Sequence, residues 1–299
     1  MAPRSSTPRN SHRLFRPPAE GDSLILRVAD GCPHNACAFC GMYKGVPYRV
    51  LSPLEIAHEL AQAQRESPEA GRVFLADGDV MALPFATLSG VLDELNARFP
   101  RLARSGMYAN GSSILAKSET ELRALRERKL HTLYLGLESG DDATLRRMHK
   151  AETAAGMTEA VRRAQACGLR LSVMILVGVA GREHSAAHAA ATAAVLNRMQ
   201  PRLLSALRCV PIPGTALHAE IAAGRFQPLT EHEAVAELRA MLAGLELTGT
   251  VFRANHASNS VPLEGRLPKD RAGLLAGLDL LLASDALDRH TPGPMPWSL

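Results

Sequence analysis

Short apolar runs alternate with longer amphipathic stretches along most of the chain, and this rhythm predicts strands and helices in turn. Residues 23–28 (SLILRV), 73–76 (VFLA), 106–109 (GMYA), 132–137 (TLYLGL), 170–177 (RLSVMILV) and 203–210 (LLSALRCV) read as six strands. Helical patterns follow them at 52–66, 84–98, 118–128, 141–149 with 153–166, and 183–198. The first of these opens with Ser52 as N-cap, Pro53 at the first position and Glu55 completing a capping box. Beyond the sixth strand, helices are expected near 231–246 and 268–283, with a short extended piece at 251–255 between them.

Strands each followed by a helix argue an α/β fold with a parallel sheet and right-handed crossovers. Polar and glycine residues gather just after the strands, at the C-terminal ends where barrels and open α/β sheets keep their sites.

Composition narrows the class without naming a function. Of 299 residues 46% are hydrophobic and 21% charged, ordinary values for a globular enzyme. The net charge of +4 permits a nucleic-acid partner but does not support one, because the excess is not gathered on one element. Arg4, Arg9, Arg13 and Arg16 stand in a Ser- and Pro-rich start that lacks an apolar core, so residues 1–22 read as a loose basic tail rather than a signal peptide. The most suggestive apolar run, 171–181, falls short of the roughly 20 residues of a membrane helix. Residues 288–299 read as a second loose tail.

Residues 31–45, GCPHNACAFCGMYKG, hold Cys32, Cys37 and Cys40, three of the five cysteines. Clustered cysteines without a secretory signal point to a metal site in the reducing cytoplasm. Three thiolates can grip a 4Fe-4S cluster and leave one iron without a protein ligand. A closed zinc site that adds His34 is the alternative, although only one residue separates His34 from Cys32. Cys167 and Cys209 stand alone and read as small buried apolar side chains.

Phe39 precedes Cys40, giving the form Cys-x-aromatic-Cys. This loop, together with the β/α units, resembles the radical S-adenosylmethionine (SAM) superfamily. The resemblance implies a partial (β/α)6 TIM-like barrel over 23–215 and a mainly helical C-terminal extension over 216–287. It also implies a 4Fe-4S cluster on Cys32, Cys37 and Cys40, whose open iron chelates SAM. Reductive cleavage of SAM would then yield a 5′-deoxyadenosyl radical that takes hydrogen from a small or medium substrate. The usual spacing in the superfamily is Cys-x3-Cys-x2-Cys; here an extra residue lies between Cys32 and Cys37.

Further positions follow from the same resemblance. Asp77-Gly78-Asp79 stands where relatives receive the SAM ammonium, although a plain tight turn explains it equally. Gly136-Leu137-Glu138-Ser139-Gly140 resembles the Gly-x-Glu-Ser-Gly turn of the coproporphyrinogen-oxidase-like and Elongator-like branches, with Glu138 at the polar end of SAM. Gly178 and Gly181 match a segment that brings backbone near the adenine, and Asn110 or Ser112 would reach ribose or substrate. Tyr43 and Lys44, just past the cysteines, are candidates for substrate contact, as are Asn255, His256 and Asn259 in the polar run 253–259.

A low-potential donor such as flavodoxin or ferredoxin is the implied protein partner. No cobalamin domain is expected before residue 23 and no acetyltransferase-sized region after the barrel. An iron–sulfur electron carrier or sensor that never cleaves SAM, and a tRNA-modifying radical enzyme, are the other functions considered.

Overall fold

Strands buried on both faces need helices on one side and packed side chains on the other, and the central strands here are almost wholly buried. The computed structural model describes residues 14–292; of the expected tails 1–22 and 288–299, residues 1–13 and 293–299 lie outside the described residues, whereas Pro18–Glu20 forms a 3-10 turn with Glu20 buried. In chain order, β1 (Leu24–Arg27) leads into a small antiparallel pair, β2 (Ala29–Asp30) and β3 (Arg49–Val50), then α1 (Pro53–Glu66). Next come β4 (Arg72–Ala76) with α2 (Phe85–Arg98), and β5 (Arg104–Tyr108) with α3 (Gly111–Leu115) and α4 (Glu119–Glu127). Then β6 (Leu130–Glu138) is followed by α5 (Asp142–Arg147) and α6 (Ala154–Ala166), and β7 (Arg170–Val177) by α7 (Gly181–Met199). The remainder is β8 (Leu203–Arg208), α8 (Ala216–Ala222), α9 (Glu231–Ala243), β9 (Thr250–Arg253), β10 (Glu264–Leu267) and α10 (Arg271–Ala283).

One sheet runs in the order β1-β4-β5-β6-β7-β8-β9-β10. Every neighbouring pair from β1 to β9 is parallel, and β10 turns back antiparallel to β9. The six expected strands form its first part, in the architecture of a partial TIM-like barrel. The segment expected as a short extended piece among C-terminal helices is instead a seventh parallel strand, with Leu203 opposite Val251 and Ser205 opposite Arg253. Four residues are too few for periodicity to distinguish a strand from a connector; Phe252, 1% exposed in the main core, is what holds it there.

Local signals behave as their chemistry dictates. Ser52 N donates to Glu55 Oε2 at 2.8 Å and Glu55 N to Ser52 Oγ at 3.3 Å, so the capping box closes. The helices between strands cover the outside of the sheet, and one continuous core runs from Leu26 to Leu287. Among the described residues no helix is long and apolar enough to cross a membrane.

Truncating Phe252 to Ala should therefore destabilise the whole barrel, by about 3–5 kcal/mol for a buried Phe. Urea unfolding of the cluster-free chain measures it; a loss below about 1 kcal/mol would show that β9 is not integral to the core.

Candidate functional site

The C-terminal ends of the seven parallel strands converge on a cavity of about 770 Å³, within the usual range for ligand pockets. The loop after β1 brings Cys32, Cys37, Phe39, Cys40 and Tyr43 to its wall. From β4 come Gly78 and Asp79, from β5 Tyr108 and Asn110, and from β6 Gly136 and Glu138. Leu176 on β7, Arg208 and Cys209 at the end of β8, and Arg253, Asn255 and His256 after β9 complete the circuit. Ser112 also lines it, whereas Lys44 does not; its ammonium donates to Asn35 O at 3.3 Å on the surface.

The cysteine loop has little regular structure, so its backbone must be satisfied from outside. Gly31 N donates to Asp77 Oδ2 at 2.9 Å, and Gly78 N donates to Gly31 O at 3.0 Å. Ala38 N donates to Met148 O and receives Leu217 N on its carbonyl, both at 2.9 Å. A Cβ on Gly78 would lie 2.5 Å from Cys32 Cβ, so only glycine lets the β4 turn press against the loop. Asp77 thus clamps the loop and does not line the cavity, contrary to the expectation of a SAM contact. Within the segment between Cys32 and Cys37 that carries the extra residue, Asn35 has a φ of +40°, in the left-handed region that Asn tolerates. Its Nδ2 donates to Tyr43 O at 2.9 Å and ties entry to exit.

The Gly136–Gly140 segment is a packed turn in which each residue has a distinct task. Glu138 has φ +60° at an irregularity in the β6–β7 register, a strain of about 1–3 kcal/mol that tertiary packing must hold. Gly136 leaves room for the folded-back Glu138 carboxylate, which a Cβ would strike. Ser139 Oγ pairs with His188 Nδ1 at 2.7 Å on α7, and Gly140 meets the α7 backbone at Ala191 with no space for a side chain. Burial holds the His188 imidazole down at about 4 and pushes nearby Glu237 up to about 7.

Glu138 Oε1 sits 3.3 Å from Lys150 Nζ, a pair that pattern reading missed. Burial works against the charged ammonium, but Glu138 and the Cys37 thiol outweigh it and raise the Lys150 pKa. Asp79 accepts from Asn110 N at 3.2 Å, Asn110 Nδ2 at 3.0 Å and Ser113 Oγ at 2.8 Å; burial nonetheless raises its pKa. Glu152, another unforeseen member, accepts from Ser112 N at 3.0 Å and Ser112 Oγ at 2.6 Å. Nothing in the local sequence marks Lys150 or Glu152, because both lie in a loop between helices. Cys209 is a correction as well: it is half-buried in the cavity wall, with its thiol pushed up to about 12 by burial. Cys167 is buried in the core as expected.

Besides Lys44 and Asp77, three further expected contacts are not brought to the cavity. Gly178 N donates to Glu237 Oε1 at 2.6 Å, and Gly181 packs on Phe226. Asn259 Nδ2 spends its protons on Ala206 O at 2.8 Å and Ala254 O at 3.0 Å, closing the loop after β9.

The residues present suit an iron–sulfur cluster better than a single ion. His34 Nε2 lies 2.7 Å from His149 O, which ties the imidazole to the end of α5 and leaves Nδ1 as its other ring nitrogen. The three thiols instead stand around an open cavity, the arrangement a bulkier cluster with one free iron requires. Burial pushes the Cys37 thiol up to about 11, with Lys150 opposing, so iron must displace the proton for the sulfur to ligate.

The fold is shared with solved structures at low identity. The radical S-adenosylmethionine methyltransferase TsrM from Kitasatospora setae, solved with cobalamin and a 4Fe-4S cluster, superposes with TM-score 0.55 at 16% identity over 68% of this chain. Coproporphyrinogen III oxidase from Escherichia coli gives 0.53 at 14% over 74% of this chain, and methylornithine synthase 0.51 at 17% over 87%. The chain spans 39%, 51% and 81% of these three chains, respectively. No curated protein matches it in sequence. Residues 26–190 match the family model of the Radical SAM superfamily. With that match over more than half its length, the chain belongs to the radical SAM superfamily, enzymes that work through a 4Fe-4S cluster and SAM and need a reductant.

Proposed function

We propose that Cys32, Cys37 and Cys40 hold the 4Fe-4S cluster and that SAM lies over its open iron, so that hydrogen is abstracted from a small or medium organic substrate in the same cavity. The observation that carries this reading is the meeting of three thiols, the Glu138–Lys150 pair and one large cavity at the strand ends. When bound, the cluster supplies the electron that breaks the sulfonium C–S bond of SAM and so generates the hydrogen-abstracting radical. The chain's own residues bind, orient and shield. Glu138 accepts from the SAM ammonium, its strained backbone setting the carboxylate at the mouth of the cluster loop. Asp79, held by Asn110 and Ser113, offers a second fixed polar edge. Phe39, Tyr108 and Tyr134 exclude water from the wall, which protects a reactive carbon centre. The buried Tyr43, 3% exposed and with no partner for its hydroxyl among the described residues, is available to a bound ligand.

The electron donor we assign is a flavodoxin- or ferredoxin-type protein, and the compartment the cytoplasm, where the free thiols stay reduced. A carrier that never cleaves SAM has no use for Glu138 or for a ligand-sized cavity.

Anaerobic reconstitution followed by dithionite and SAM should release 5′-deoxyadenosine. An intact cluster without that product would leave the electron-carrier reading standing. Cys37→Ala should lose the iron chromophore, because two thiolates do not retain the cluster; iron and sulfide analysis reads it, and normal loading would contradict the assignment. Glu138→Gln should keep the cluster and weaken SAM binding roughly 10- to 150-fold, the loss of one charge-assisted hydrogen bond. Equilibrium titration with SAM tests this, and unchanged affinity would remove Glu138 from the SAM site.

A further inference from the structure

We propose that the β8–β9 wall of the cavity recognises an anionic oxygen group on the substrate, a carboxylate or phosphate, through Arg208 and Arg253. The inference rests on the cavity being the substrate site proposed above.

Charge accounting around the cavity leads to it. Its acidic side chains are already engaged: Glu138 by Lys150, Asp79 by Asn110 and Ser113, Glu152 by Ser112. Two guanidinium groups at the ends of adjacent parallel strands have no such partner. Arg208 is half-buried and donates only to neutral oxygens, Ser260 Oγ at 3.2 Å and Leu229 O at 3.1 Å. Burial pulls its pKa down; the opposing charge of Glu231 reaches it through Ser260 Oγ, which donates to Glu231 Oε1 at 3.1 Å, and not as a direct ion pair. Arg253 lines the same cavity with an exposed side chain, and its guanidinium forms no hydrogen bond or ion pair with the described residues. Glu264 stands opposite it in the β9–β10 register, yet that carboxylate receives Asn255 Nδ2, at 3.4 Å. Arg16, the remaining cation of the lining, gives one nitrogen to Ser23 O.

The wall is also built rather than incidental. Arg208 N donates to Ser258 Oγ at 3.1 Å, and Asn259 bonds to both Ala206 O and Ala254 O, so the loop after β9 is stitched to the end of β8. Within it, Ser258 N donates to His256 Nδ1 at 3.1 Å. That nitrogen must then be the acceptor, which puts the imidazole proton on Nε2 and adds a neutral donor to the cavity lining. A partly desolvated guanidinium without a counter-ion is costly, and a planar anion that takes two of its N–H bonds offsets the cost. In sheet order this wall lies on the opposite side from β1, and the sheet's curvature sets both around one cavity. An anion anchored here leaves the rest of the substrate free to extend toward the cluster loop.

The test uses the cluster-loaded chain saturated with SAM in the absence of reductant, titrated separately with inorganic phosphate, acetate and neutral acetamide. Phosphate or acetate should bind saturably and acetamide should not. The dissociation constant should rise about tenfold or more in Arg253→Gln and in Arg208→Gln. Arg253→Gln removes no bond within the described fold, so its effect reads recognition rather than folding; thermal unfolding checks Arg208→Gln. The tighter of the two anions identifies whether a phosphate or a carboxylate is the natural group. Absence of saturable binding for both, or binding unchanged by both substitutions, overturns the proposal. If SAM itself does not bind, that result counts against the proposed function, and the anion titrations are read on the SAM-free chain with the same criteria.

Discussion

A loop that carries three clustered thiols cannot order itself when it has too few backbone hydrogen bonds of its own. Here the missing partners come from distant strand ends: Asp77 and Gly78 after β4, Met148 after α5 and Leu217 at the start of α8. Each is an ordinary hydrogen bond worth about 1 kcal/mol net, but left unmade each would strand a polar group at two to three times that cost. The positions of the thiols therefore depend on the curvature of the whole sheet, which brings those ends together. The glycine at position 78 allows contact with Cys32 at a distance that no other residue permits.

The same constraint governs the acidic side of the cavity. Glu138 is held in a left-handed backbone conformation by Ser139 and Gly140, which lock the following turn onto α7. The strain is local, and the packing that supports it is remote. Lys150 then neutralises both Glu138 and, when ionised, Cys37, so one buried ammonium links the cluster side of the cavity to its acidic turn. Buried charges are tolerated here because they are paired or fully hydrogen-bonded, as with Asp79. The half-buried Arg208 departs from that rule, with the exposed Arg253 beside it on the same wall, and a cavity that balances its other charges so closely gives that departure meaning.

The parts of the site readable in advance are those in which neighbouring residues act together. Cys32, Cys37 and Cys40 share one loop, and Gly136, Glu138, Ser139 and Gly140 share one turn, so spacing alone carries their logic. Position relative to a strand end was a good guide for Asp79, Asn110, Asn255 and His256, which all reach the cavity. It misled for Gly178, Gly181 and Asn259, where a glycine or amide at a strand end serves packing and loop closure. Asp77 lies between these cases, a carboxylate in the right turn that faces the loop backbone.

By itself the sequence determined the β/α order, the placement of polar residues after strands and the grouping of the thiols, because these depend on short-range periodicity and spacing. Only the tertiary structure decided that Thr250–Arg253 extends the parallel sheet, that Lys150 meets Glu138, and that two arginines from different strands line one wall. Those pairings join residues separated by whole helices, and their energies exist only once the sheet has curved and closed the distance. The extra residue between Cys32 and Cys37 is visible in the spacing, whereas the left-handed backbone of Asn35 and its bond to Tyr43 O exist only in the folded loop.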